Sequence, residues 1–203
     1  MMSDTPALND RRLTLADIAD TRAYERERAE FRARVADLKQ LRRCNVGPVV
    51  TLLFENRDTI RFQIQEMARV ERLITDEAIQ DELDTYNPLV PEPGSLRATL
   101  FIELTNDDEM RTWLPALVGV EQCVVLRLDG GGEVRCTPDP QHASQLTREH
   151  VTAAVHYIGF ELSPVEVASF ARGAVVAIDH PAYRYEAALC VPSISELLTD
   201  LRS

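Results

Sequence analysis

The hydrophobic period of this chain changes near residue 96, and that change decides the fold class. Up to that point apolar residues recur at helical spacing, with one β-branched run between them; beyond it they alternate, or cluster in short blocks bounded by Gly, Pro, Asn and Asp. A helical first part followed by a strand-rich second part reads as α+β, with N-terminal helices laid on a mainly antiparallel β-sheet that is open or closed into a barrel. The length of 203 residues, with 45% hydrophobic residues, suits a single domain. The expected organisation is a flexible tail over 1–12 and one domain over 13–203, helical over 13–95 and sheet over 96–203.

Tyr24, Phe31, Val35 and Leu38 form a narrow apolar seam in DTRAYERERAEFRARVADLKQLRRC. Such a helix packs on its own chain or pairs with a second copy. VGPVVTLLF, residues 46–54, predicts a strand, and Asp58 in the following ENRD is placed to cap the next helix. Thr75 starts a further helix through DEAIQDELDTY, which Asn87 and Pro88 end. LRATLFIEL predicts a strand, Asn106 with Glu109 a capping box, and VEQCVVLRLDGGGEVRC a hairpin. TAAVHYIGFEL, AVVAID and YRYEAALC predict strands, while Ser163, Pro164 and Glu166 open one helix and Ser193 with Glu196 another.

Charge and motifs narrow the function. A net charge of −11 repels nucleic acid and anionic membrane surfaces. Lys39, Arg42 and Arg43 are the nearest thing to a basic patch, and they suit a helix C-terminus. The apolar runs fall short of the roughly 20 residues of a membrane span, and no apolar signal core precedes Arg11, so a cytoplasmic location is expected. Cys44, Cys123, Cys136 and Cys190 form no CxxC pair; they read as reduced thiols, with Cys44 the most exposed. DGGGE lacks the lysine and helix of a phosphate loop, and GxSxG, HExxH and GxGxxG are absent.

The most polar helix, FENRDTIRFQIQEMARVERL, carries the candidate site. At 100° per residue Ile60, Ile64, Met67 and Ile74 share a stripe, with Glu71 in its middle and Gln63 on its edge; Arg61, Gln65, Arg69 and Arg72 take the other side. A buried Glu71 must meet an arginine such as Arg97 or Arg127, bind a cation, take a proton or reach water. The candidate pocket is therefore Glu55, Gln63, Glu66, Arg69, Glu71, His156 and His180. Arg69 would hold an anion or a glutamate, and Glu66, Glu71, His156 and His180 would bind a divalent metal if the strands bring the two imidazoles together. His142 and His150 are expected in solvent.

FENRDTIRFQIQEMARVE, DELDTYNPLVP, RATLFIEL, TAAVHYIGFEL and DHPAYRYEAAL occur in that order. Together they resemble an uncharacterised bacterial family, a domain of unknown function, over nearly the whole chain. The resemblance implies relatives encoded beside rubrerythrin-like di-iron proteins and iron–sulfur oxidoreductases, hence a redox-protein partner and service in oxidative stress or iron-dependent metabolism. It supplies no catalytic residues. The expected function is an accessory protein that binds a metal, small ligand or partner in a polar pocket. The alternatives are a metal-dependent or acid/base enzyme on a small molecule, and an interaction module that dimerises or docks through the N-terminal helix.

Overall fold

The computed structural model describes residues 11–140 and 151–202. Residues 1–10, which make up most of the expected tail, and both His142 and His150 lie outside the described residues. Arg11 is held by Nη1 hydrogen bonds to the carbonyls of Pro91 and Asp200, each 3.1 Å, and Leu13 is buried.

Helix α1 spans Thr21–Arg42, capped by Asp20, whose carboxylate accepts from the amides of Arg22 and Ala23. Its apolar seam, Tyr24, Phe31 and Val35, is buried beside Ala19 and Phe62 of the same chain. Strands β1 (Arg43–Val46) and β2 (Val50–Glu55) follow as a hairpin. The single strand expected over 46–54 is thus the end of one strand, a turn and a second strand. Gly47, at φ +75°, makes the turn, and a Cβ there would fall 2.6 Å from the Tyr183 hydroxyl. Helix α2 (Arg57–Glu71) is capped by Asn56 in a box with Thr59, one residue pair earlier than the expected Asp58. Helix α3 (Asp76–Tyr86) starts on the Thr75 cap.

The second half supplies β3 (Ser95–Ile102), α4 (Asp107–Ala116), β4 (Val124–Leu128), β5 (Glu133–Arg135), the two-residue β6 (Thr137–Pro138) and β7 (Val155–Glu161). Helix α5 (Pro164–Phe170), β8 (Ala174–His180), β9 (Tyr183–Ala188) and α6 (Val191–Arg202) complete it. Helix α6 begins two residues before the expected Ser193 cap, and Glu196 is used elsewhere, as an ion-pair partner of Arg42.

Among the described residues the strands make two antiparallel sheets, β1-β2-β3-β7-β6 and β5-β4-β8-β9, and form neither a single sheet nor a barrel. The inner faces share one core: Leu52, Phe54, Leu100 and Phe160 from the first sheet, Leu126, Val176 and Ile178 from the second. Every residue of β2 is buried, because its outer face is covered by the N-terminal helices. Two ties hold the layers. The Tyr183 hydroxyl donates to the Val46 carbonyl (2.7 Å) and accepts from the amides of Val49 and Val50. The buried Arg42 guanidinium bonds Glu196 (2.8 Å), Asp200 (2.7 Å) and the Glu55 carbonyl (3.2 Å). Among the described residues no helix is long and apolar enough to cross a membrane.

Candidate functional site

Strand alternation places Leu53 and Glu55 of β2 on the outer face of the first sheet. The register then lines up Leu53, Thr99 and Tyr157 across β2, β3 and β7, with Glu55, Arg97 and Gly159 in the next row. Thr51, Phe101 and Val155 form the row on the other side. Thr59, Ile60 and Gln63 from the first turns of α2, with Tyr86 and Leu89, close over this face and leave a cavity of about 220 Å³. Half-buried Lys39 of α1 completes its lining.

Glu55 is 7% exposed. Its Oε2 accepts from the Thr59 hydroxyl at 2.5 Å and its Oε1 from the Thr99 hydroxyl at 2.6 Å. Both donors are neutral, and among the described residues its carboxylate forms no ion pair. The arginine opposite, Arg97, turns away to Glu161 at 2.8 Å. It can do so because residue 159 is glycine: a Cβ there would collide with the guanidinium. Arg42 reaches only the Glu55 backbone, its charge being met by Glu196 and Asp200.

The two phenols in the lining stay protonated well past neutral pH. Burial, with smaller contributions from Tyr86, Glu55 and Asp139, pushes the Tyr157 hydroxyl up to about 12. Burial also raises Tyr86, against a hydrogen bond from Gln63 and with the nearby charge of Glu82. The cavity is thus lined by a buried carboxylate, two phenols, an amide and a lysine, against walls of Leu53, Ile60, Leu89, Phe101 and Val155.

Of the residues expected from the sequence, Glu55 and Gln63 meet in this cavity. Glu66 faces α1, where Arg28 grips both its oxygens (2.7 and 2.8 Å) and the Tyr24 hydroxyl donates at 2.6 Å. The Arg28 hydrogen bond pulls its carboxyl down to about 2, burial opposing and Tyr24 assisting. Arg69 pairs with Glu25 at 2.5 Å.

Glu71 corrects the expectation of a carboxylate pointing into the core: it is exposed. The helix stops there, since Arg72 turns left-handed at φ 57°, and Ile74, which completed the apolar stripe, is 85% exposed beyond the end. Neither proposed partner meets Glu71; Arg127 instead binds Glu133, Asp179 and Glu186. Besides Thr59, the buried polar residue of α2 is Gln65, placed on the solvent side by helical angle but 2% exposed, with its amide bonded to the backbone N–H and C=O of Ala19.

His156 alternates with Tyr157 and so faces away from the cavity. Its Nε2 lies 2.8 Å from the Thr152 hydroxyl and 2.9 Å from the Ala153 carbonyl. Burial holds its pKa below the usual histidine value, with the charge of Glu121 opposing. His180 is in the other sheet, 3.1 Å from the Val118 carbonyl and accepting from the Ala182 amide. Glu66, Glu71, His156 and His180 do not converge, and among the described residues no group of three or more His, Cys, Asp or Glu is placed to hold a metal. Cys44, expected to be exposed, is buried in β1; Cys190 is the exposed thiol.

Lys39, Thr59, Tyr86, Thr99 and Tyr157 complete the cavity and were not among the expected site residues. Alternation around His156 carried a signal for Tyr157, because a strand that buries His156 on one face presents Tyr157 on the other. The strand order that brings Thr99 beside both Glu55 and Tyr157 has no local signature.

No curated protein matches the chain. A solved structure does: a crystal structure of a novel protein of unknown function from Burkholderia pseudomallei K96243. It is similar over 93% of this chain and 98% of that one, with 36% identity and a TM-score of 0.85. A family model matches residues 12–201. The protein belongs to the family described as protein of unknown function (DUF3501).

Proposed function

We propose that this protein binds a small polar molecule in the cavity between α2 and the outer face of the first sheet, with Glu55 as the anchor. One observation carries the reading: a carboxylate 7% exposed lines an apolar-walled cavity with two neutral hydroxyl partners and no ion pair among the described residues. Burying a charge without a counter-charge costs several kcal/mol by rough estimate, and a ligand that supplies donors recovers part of it. Pockets of this kind, mostly apolar with a few convergent polar groups, are where small molecules bind.

Acid/base chemistry with histidine would need His156 or His180 in the same cavity, and both face elsewhere. Docking through the seam of α1 would need that seam uncovered, whereas α2 of the same chain fills it. An accessory role in a redox or iron-dependent system is the finer form of the proposal. Its support is the gene neighbourhood that the family resemblance implies, and the ligand would then come from that metabolism.

The test is a thermal-shift screen of the full chain against a library of small amines, carboxylic acids, amino acids, polyols and nucleosides. Gln63→Trp, which fills the cavity from its half-buried wall, serves as control. At a hundredfold excess over Kd a true ligand adds about 2.7 kcal/mol and raises Tm by several degrees. Compounds that shift the wild type and leave Gln63→Trp unmoved support the site. A library that shifts neither protein, or both equally, overturns it.

A further inference from the structure

A second charged residue lines the cavity, and the pair narrows what it can hold. Lys39 lines the same space as Glu55, yet among the described residues neither is in an ion pair, with each other or with a third group. The Lys39 ammonium rests 5.6 Å from the centre of the Phe62 ring, a contact worth far less than a carboxylate. Lys39 also precedes Arg42 by about one helical turn, and Arg42 caps the Glu55 carbonyl, so the two charges belong to neighbouring turns and strands around one space.

We infer that the ligand is a small zwitterion of the amino-carboxylate class, its ammonium seated at Glu55 and its carboxylate at Lys39. The inference rests on the ligand-binding reading of this cavity. A simple cation placed here would be drawn to Glu55 and repelled by Lys39, and a simple anion would meet the reverse; a polyol would leave both charges unmatched. A zwitterion meets both.

The rest of the lining suits the two ends of such a molecule. Thr59 from α2 and Thr99 from β3 hold the Glu55 carboxylate in place, so it is presented to an ammonium without first having to reorient. The rings of Tyr86 and Tyr157 line the same cavity, and aromatic faces favour a cation. The Tyr86 hydroxyl, protonated at neutral pH, and the Gln63 amide are donors suited to a carboxylate. Leu53, Ile60, Leu89, Phe101 and Val155 leave an apolar surface for a side chain. A space of about 220 Å³ sets the size at on the order of ten non-hydrogen atoms.

The experiment is isothermal titration of the full chain with the proteinogenic α-amino acids, each binder then compared with its decarboxylated amine and its deaminated acid. At least one amino acid should bind one to one, with the matching amine and acid each tenfold or more weaker. Glu55→Gln should weaken the amino acid and the amine at least tenfold, and Glu55→Asp, which keeps the charge, should weaken them less. Lys39→Met should weaken the amino acid and the acid at least tenfold while sparing the amine. An amine that binds as tightly as its amino acid, or affinity untouched by Lys39→Met, overturns the zwitterion and leaves the cavity as a cation site. Failure of every amino acid while another library compound binds overturns it too; failure of the whole library removes the cavity reading beneath it.

Discussion

Arg97 stands directly across the β2–β3 ladder from Glu55 and pairs instead with Glu161, reaching it over the bare backbone of Gly159. The pocket's uncompensated carboxylate therefore depends on a missing side chain two strands away. Gly159→Ala should change stability by only about 1 kcal/mol, since the group displaced is the end of a flexible side chain in a strand that tolerates alanine. It should nevertheless free Arg97 to swing toward Glu55 and weaken ligand binding at least tenfold. A crystal structure of the variant with a titration beside it checks this; an Arg97 still on Glu161 with unchanged affinity would contradict it.

The turn between β1 and β2 is locked onto β9. Tyr183→Phe removes the hydroxyl that serves the Val46 carbonyl and the amides of Val49 and Val50, and should cost about 2 kcal/mol. Gly47→Ala should cost more, about 3 kcal/mol, because it adds a left-handed alanine to a collision with the Tyr183 hydroxyl and the Tyr185 ring. Urea unfolding midpoints at constant m-value decide both.

Arg42 is buried between two acids, and burial raises the Asp200 carboxyl more than Arg42 lowers it. Arg42→Met should destabilise by about 3–5 kcal/mol by leaving Asp200 buried without its cation. Adding Asp200→Asn should recover part of that loss. A double-mutant cycle with no coupling between the two sites would refute the pairing as a stabilising contact.

The Glu66 brace sets an acid limit on the packing of α1 against α2. Its carboxyl is lowered to about 2, first by the Arg28 hydrogen bond, from an ordinary value near 4.5. A depressed carboxyl contributes stability above its unfolded value, and the contribution fades as pH falls from about 4.5 toward 2. Glu66→Gln should cost about 1 kcal/mol at pH 7 and almost nothing at pH 2.5. A pH series of denaturation curves for the two proteins should converge at the acid end.

Thiol reactivity should follow burial and hydrogen bonding. Cys190 is exposed and lowered by its bond with the Ser193 hydroxyl, whereas burial pushes Cys44 and Cys136 up to about 11. Limiting iodoacetamide at pH 7.5 should label Cys190 before any other thiol, and Ser193→Ala should slow it about two- to fivefold. Peptide mass spectrometry reads the order directly.

What was legible in the sequence divides along physical lines. Caps such as Thr75 and Ser163, and the period change near residue 96, are local, and the helices and strands they mark are present. The helical stripe that puts Glu71 in the core runs past a helix end that Arg72 creates with a backbone conformation unusual for arginine. Gln65 was misplaced because its partner is the backbone of Ala19, far away in the chain. The division into two sheets is not legible, because alternation tells which residues share a face and says nothing of which strands pair. Glu55 and Gln63 stand out as polar residues beside an apolar run and alternation around His156 points to Tyr157, whereas Lys39 needs the fold.

Arg42 also sets an order of events for the growing chain. It lies 154 residues before Glu196 and 158 before Asp200, and its third bond fixes the end of β2 where the pocket begins. A nascent chain can build α1, the β1–β2 hairpin and α2 from near neighbours. Arg42 meets its two acids only once α6 has been made, so this anchor at the end of β2 is among the late, long-range contacts of assembly.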